Sequence, residues 1–181
     1  MTRSRTRPNR VVLDELRYLI LAAQREGSRA LNDALRHLEL TASQAEVLDV
    51  LAEHQPVTLA ELGRLLVCEL GSPSRLVDAM VRRGLVSRVP HPQDRRAVTV
   101  ELTERGRELA ARLDEATGRL TDVIGRLLSE TDISDLTGLL TKLLRGTHSG
   151  KALRQRFPAA DLSSGFHPRS SAHGRVASSP E

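Results

Sequence analysis

Between Leu109 and Leu127 the apolar residues Leu109, Leu113, Ala116, Leu120, Val123 and Leu127 recur at intervals of 4-3-4-3-4. A repeat averaging 3.5 residues keeps one seam of an α-helix apolar along its whole length. A strand, whose side chains alternate faces, cannot use that pattern. Such a seam also needs a cover, from its own chain or from another. Val12, Leu16, Leu19, Ala23, Leu31, Leu35 and Leu38 form a second helical stripe near the N-terminus, where Gly27 and Ser28 would bend or divide the helix. Aromatic residues are only 2% of the 181, so aliphatic side chains must fill the core, which favours helices over a β-sandwich.

Several function classes are disfavoured at once. The longest apolar run near the N-terminus, Tyr18 to Ala23, is six residues. It is too short for a membrane span or a secretory signal, and a cytoplasmic protein with no membrane partner is expected. A lone Cys68 excludes an internal disulfide framework and a four-thiolate metal site. The histidines lack paired metal-ligand spacing, and no Gly-rich phosphate loop or nucleophile motif is present. The expectation is no metal, no cofactor and no enzymatic activity.

Net charge is +4, but its distribution says more than the sum. Residues 1–10 hold four arginines and no acid, and residues 146–181 five bases against two acids. The middle, 11–145, has 18 bases against 21 acids. Inside it, 71–96 carry six arginines against Asp78 and Asp94, a local surplus of four. Basic tails by themselves read as solvated disorder. A basic patch on an acidic body is a footprint for a polyanion.

That patch falls within a run of short elements. Thr41-x-x-Gln44 and Thr58-x-x-Glu61 have capping-box spacing and open two helices. The first buries Val47, Leu48 and Leu51 and ends before Pro56; the second passes through Leu62, Leu65 and Leu66. After Gly71, Ser72-Pro73 suits the start of a third, which runs to Arg83 with Gly84 as its left-handed stop. This is a helix-turn-helix pattern. Leu85 to Val89 and Ala97 to Leu102 read as strands. In the second, Val98, Val100 and Leu102 alternate with Ala97, Thr99 and Glu101. Pro90 to Arg96 forms the polar tip of this hairpin, which makes it a wing. Thr103 caps the long helix, and a last helix follows Asp132 through Leu136, Leu139, Leu140, Leu143 and Leu144. Beyond Gly146 the composition turns to Ser, Gly, Pro, Arg and His, so removal of 150–181 is expected to leave the fold intact.

Winding the third helix at about 100° per residue puts Leu76, Val77, Met80 and Val81 on one face. Arg75, Asp78, Ala79 and Arg82 fall on the other. A major groove about 12 Å wide admits such a helix, and arginine can pair bidentately with guanine. Ser72 and Ser74 can donate to phosphate at the helix start. Asp78 would repel phosphate, so it orients a neighbouring arginine or accepts from a cytosine amino group. Taken alone, the helix reads equally as an amphipathic surface helix with solvated charges. The wing tips the balance, because a narrow minor groove attracts inserted arginines such as Arg95 and Arg96. Asp94 would hold a guanidinium in place or cap the turn.

One ordered string carries a resemblance: Leu40-Thr41-x-x-Gln44, Leu59-Ala60-Glu61-Leu62, Ser74-Arg75-Leu76-Val77-Asp78, Arg83-Gly84-Leu85-Val86-x-Arg88, Asp94-Arg95-Arg96-Ala97 and Leu102-Thr103-Glu104-x-Gly106. In this order and spacing it resembles the MarR family of winged helix-turn-helix transcription regulators, over roughly residues 12–145. The Asp-Arg-Arg wing followed by Leu-Thr-Glu-x-Gly is the most specific part. The resemblance implies a homodimer, paired through its terminal helices, on a pseudo-palindromic operator in double-stranded DNA. It puts Ser74 and Arg75 on the recognition helix, Arg96 at the minor-groove position of the wing and Asp94 beside it as support. It departs from the family at Ala79, where arginine often follows the aspartate; one contact is lost there, or Arg82 replaces it. Members commonly answer to small aromatic ligands, oxidants or metals. A small-molecule effector cleft between the dimer helices and the winged domain is therefore implied, lined here by Leu, Val and Ile. Thiol-based members carry their sensing cysteine in the N-terminal helical region, where this chain has none. Cys68 reads instead as a small buried hydrophobe.

The fold expected is mainly α (α+β), a winged helix-turn-helix with N- and C-terminal dimerisation helices. Residues 1–10 are a disordered basic N-terminus, 11–146 the MarR-type domain and 147–181 a disordered basic tail. Within the domain, 11–38 and 103–146 are dimerisation helices and 41–102 the DNA-binding lobe. The function expected is a ligand-responsive, sequence-specific repressor. The alternative is a helical protein-interaction adaptor with weak, non-specific DNA binding.

Overall fold

The computed structural model describes residues 9–67, 72–90 and 98–158. Along the chain run α1 (Arg10–Arg36), α2 (Ala42–His54), β1 (Val57–Thr58), α3 (Leu59–Leu65), α4 (Pro73–Arg82), β2 (Val86–Pro90), β3 (Val98–Leu102), α5 (Glu104–Leu127), α6 (Glu130–Leu143) and α7 (His148–Arg156). The mainly helical winged fold is the one expected.

Local signals set most helix starts. Thr41 and Thr58 each accept from the backbone N–H three residues on, while Gln44 and Glu61 reach back to the cap N–H, completing both boxes. A third box sets the start of α6. Ser129 is its cap and Asp132 sits inside the first turn, so the helix begins ahead of Asp132 rather than after it. Hydrogen bonds from the Ser129 hydroxyl and backbone N–H hold the Asp132 carboxyl below its ordinary value. α1 continues unbroken through Gly27 and Ser28. A helical glycine costs only about 1 kcal/mol, and Gln24 Nε2 donates to Ser28 Oγ across the junction at 3.0 Å.

The three strands form an antiparallel sheet in the order β1-β3-β2. β1 was not anticipated; two residues are too short to show alternation. Its register pairs Val57 with Val100, and the wing hairpin pairs Val86 with Leu102 through Pro90 with Val98. Val98 was expected on the inner face with Val100 and Leu102. It is 48% exposed, because it lies opposite Pro90 at the end of the hairpin next to the 91–97 connection, where both residues face solvent. Thr99 is buried instead, flanked in the sheet by Thr58 and Val89, and donates to the Val89 carbonyl at 3.2 Å.

Two glycines are required by geometry. Gly84 has φ +67° where α4 turns into β2, a conformation that strains any side chain. Gly106 lies in the first turn of α5, where a Cβ would stand 2.0 Å from the Leu85 carbonyl oxygen. That close approach lets Thr103 cap α5 while its hydroxyl donates back to the Gly84 carbonyl at 2.7 Å. The start of α5 is thereby held against the base of the wing.

The core fills the winged lobe. Val47, Leu48, Val50, Leu51, Leu62, Val77, Met80 and Leu85 are fully buried, joined by Val86, Val100, Leu102 and, from the long helices, Leu35 and Leu113. Burial stops there. Leu35 is the one buried residue of α1, α5 is buried only in its first half, and α6 has no buried residue.

The 147–181 segment does not conform to the expected disordered tail at its start. Residues 148–156 form α7, with Thr147 as its N-cap and Ala152 fully buried. The Arg156 side chain is 8% exposed and pairs with Glu46 at 3.1 Å and with Asp49. Composition hid this because two small residues, Gly150 and Ala152, and one arginine paired with two acids dock the helix, not an aliphatic stripe. A legible signal was present: Thr147-x-x-Gly150 repeats Thr103-x-x-Gly106. Both threonines accept from the glycine N–H, and both glycines lie close under a leucine carbonyl. Residues 159–181 and 1–8 lie outside the described residues.

Candidate nucleic-acid interface

α4 is placed by its inner face. Val77 and Met80 are fully buried and Leu76 is half-buried, so the opposite face turns outward. That face carries Arg75 and Arg82, both exposed, with Ser74, Asp78 and Ala79 partly exposed between them. Val81, expected inside, is 37% exposed. Ser72 is the N-cap residue and is exposed, but its hydroxyl does not cap the helix. Pro73 supplies a pre-set φ at the first turn without needing a capping partner.

Asp78, the awkward acid of this face, is paired. Its Oδ1 lies 2.7 Å from Nη2 of Arg88, on β2 of the wing. Both side chains are about 40% exposed, so the pair adds well under 1 kcal/mol to stability. Its consequence is electrostatic and geometric: it cancels a negative charge on the face and ties the middle of α4 to the wing strand. Arg88 belonged to the recognised string but not to the expected site. A pair ten residues apart, joining a helix to a strand, leaves no periodic mark in sequence.

A second tie sits at the end of α4. Arg83 Nη1 donates to Gln44 Oε1 at 2.9 Å, the same oxygen that accepts from the Thr41 N–H at 3.1 Å. The capping box of α2 therefore also anchors the C-cap of α4. Neither Arg75 nor Arg82 makes an ion pair among the described residues, which leaves two free guanidinium groups on the outer face. Asp94, Arg95 and Arg96, with the wing tip, lie outside the described residues, as does Cys68.

The surroundings differ from expectation in one respect. An open concavity of about 360 Å³ lies among α2, β1, α3 and α7, lined by His54, Pro56, Val57, Glu61, Arg64, Leu65 and Gln155. It is neither aliphatic nor next to α1 and α5, where an effector cleft was expected. Among the described residues no group of three or more His, Cys, Asp or Glu could hold a metal ion. No described helix is long and apolar enough to cross a membrane.

Comparison with known proteins agrees with this geometry. A family profile described as a winged helix DNA-binding domain matches residues 40–106. The multiple antibiotic resistance protein MarR of Escherichia coli K12 is 32% identical over 127 residues, covering 70% of this chain and 88% of that protein. A cysteine-to-serine mutant of E. coli MarR, crystallised with operator DNA, matches with a TM-score of 0.64 at 32% identity, over 72% of this chain and 94% of that one. The transcriptional repressor CouR, bound to a 23-mer DNA duplex, matches with a TM-score of 0.66 at 26% identity, over 77% of this chain and all of its own. With that identity spread over most of the relatives' length, on a lobe whose outward helix is tied to a wing, this chain belongs to the MarR family of winged helix-turn-helix transcription regulators.

Proposed function

We propose that the protein is a homodimeric repressor that reads a pseudo-palindromic operator in double-stranded DNA and releases it in response to a small molecule. The observation that carries the reading is the outer face of α4: two arginines without an ion pair among the described residues, with the one acid between them neutralised by Arg88. Arg75 and Arg82 enter the major groove, and Ser72 and Ser74 donate to phosphate at the helix start. The Ala79 methyl leaves room for close approach. Arg95 and Arg96 reach the flanking minor groove, with Asp94 steadying them. Relatives crystallised on DNA support this direction.

Dimerisation is supported by the bare seams. Leu13, Leu16 and Leu19 on α1, Val123 and Leu127 on α5, and Leu136, Leu139 and Leu143 on α6 are each 44–76% exposed. Unpartnered stripes of this kind on three helices of one molecule call for a second copy. Two reading helices would then lie one helical turn apart, about 34 Å. Selecting bound fragments from genomic DNA with the purified protein, followed by mobility shift, tests the reading. One enriched motif with two related halves supports it. Equal binding of all duplexes, as a helical adaptor would show, refutes it, and a stable monomer refutes the dimer. Ligand screening against the selected complex tests release.

A further inference from the structure

We propose that α7 is an internal brace that sets the position of the recognition helix, with Arg156 as the positioning residue. The inference rests on the DNA-binding reading above. The Arg156 guanidinium meets Glu46 and Asp49, both on α2. The same Glu46 Oε1 that takes the Arg156 Nη1 bond also accepts from the Val67 N–H at 2.6 Å. Val67 stands just past α3, on the connection that leads to α4. One buried carboxylate oxygen thus joins the C-terminal helix to the turn of the helix-turn-helix.

The chemistry suits positioning better than stabilisation. Glu46 and Arg156 side chains are 7% and 8% exposed, and at that depth desolvation consumes most of the attraction between the charges. The Arg156 Nε is also buried without a partner among the described residues. A nonpolar contact would serve stability equally well. What the charged pair adds is direction: planar donors fix two acceptors on α2 at set angles. α6, with no buried residue of its own, follows α5 and precedes α7 in the chain. The brace therefore also links the bare α6 seam to the reading lobe.

The test uses full-length protein and two duplexes of equal length: the fragment it enriches from genomic DNA, and a scrambled version. Affinities are measured over a range of salt, with thermal unfolding recorded alongside. Arg156→Ala should lower the preference for the enriched duplex about tenfold, within the span typical of indirect coupling. Scrambled-duplex affinity and the salt slope should stay as in wild type, since no phosphate contact is lost. Arg156→Lys, which keeps the charge but loses the planar fork, should recover only part of the preference. If Arg156→Ala does not fold, Glu46→Gln carries the same test: its amide oxygen can still take the Val67 N–H, but its charge is gone and Asp49 remains as the acid facing Arg156.

Unchanged preference in these variants overturns the brace. So does an equal loss on both duplexes with a shallower salt slope, which would make α7 a direct phosphate contact through Lys151, Arg154 or Arg156. A loss that vanishes once the folded fraction is taken into account reduces Arg156 to a structural residue and also overturns it. If wild type itself does not discriminate, the DNA-binding reading falls and takes the brace with it; if wild type discriminates and Arg156→Ala does so equally, only the brace falls.

Discussion

Arg75 and Arg82 differ from the other described arginines of the patch in having no ion-pair partner among the described residues, whereas Arg88 answers Asp78 and Arg83 answers Gln44. In the proposed reading the first two meet DNA, while Arg83 and Arg88 aim the helix. Arg75→Ala should cost about 1–3 kcal/mol in operator affinity and relax sequence preference, measured by anisotropy on matched and single-mismatch duplexes. Arg88→Gln should change thermal stability by less than about 1 kcal/mol, yet weaken binding to every duplex, because it exposes an uncompensated Asp78 on the reading face. Adding Asp78→Asn should restore part of that binding. If Arg88→Gln binds as wild type does, the electrostatic role given to this pair is wrong. Gly106 acts through the space it leaves empty. Gly106→Ala must push α5 from Leu85 and should lose about 1–3 kcal/mol in urea unfolding.

At the scale of elements, the helices divide into two kinds. α2, α3 and α4 bury their apolar faces within the lobe, while α1, α6 and the second half of α5 leave theirs open. A charge on an open seam should therefore spare the lobe and damage assembly. Leu139→Glu, at a position 65% exposed in the single chain, should shift sedimentation to the monomer and abolish cooperative operator binding, while helix content stays near wild type. An unchanged dimer would remove α6 from the interface. α7 belongs to the first kind despite its composition. Cutting the chain after Gly146 removes the buried Ala152 and the Arg156 contacts to α2, so stability in urea unfolding should fall by about 1–3 kcal/mol. A midpoint unchanged by that cut would show the docking to be negligible.

For the whole molecule, the arrangement is a winged lobe carried on helices whose apolar seams stay open in the single chain. The wing, the recognition helix and the start of α5 meet around Gly84, Leu85 and Thr103, where α4, β2 and α5 share backbone hydrogen bonds. The charge is divided along the chain as well, with a basic segment at 71–96 inside an otherwise acidic 11–145.

Much of this was legible from residue order alone. Capping boxes at Thr41 and Thr58, the Ser72-Pro73 start, the Gly84 stop and the 3.5-residue seam of α5 are local, set by groups within four residues of one another. They determined the helix-turn-helix, the hairpin and the face that α4 presents. Tertiary contact decided the rest. Glu46 and Arg156 are 110 residues apart in the chain, and nothing in either neighbourhood names the other. The Asp78–Arg88 pair, the two-residue β1 and the outward Val98 likewise depend on which backbone lies alongside. Periodicity reports which side of an element is apolar, but a single buried ion pair has no period, so the docking of α7 became visible only once the chain was folded.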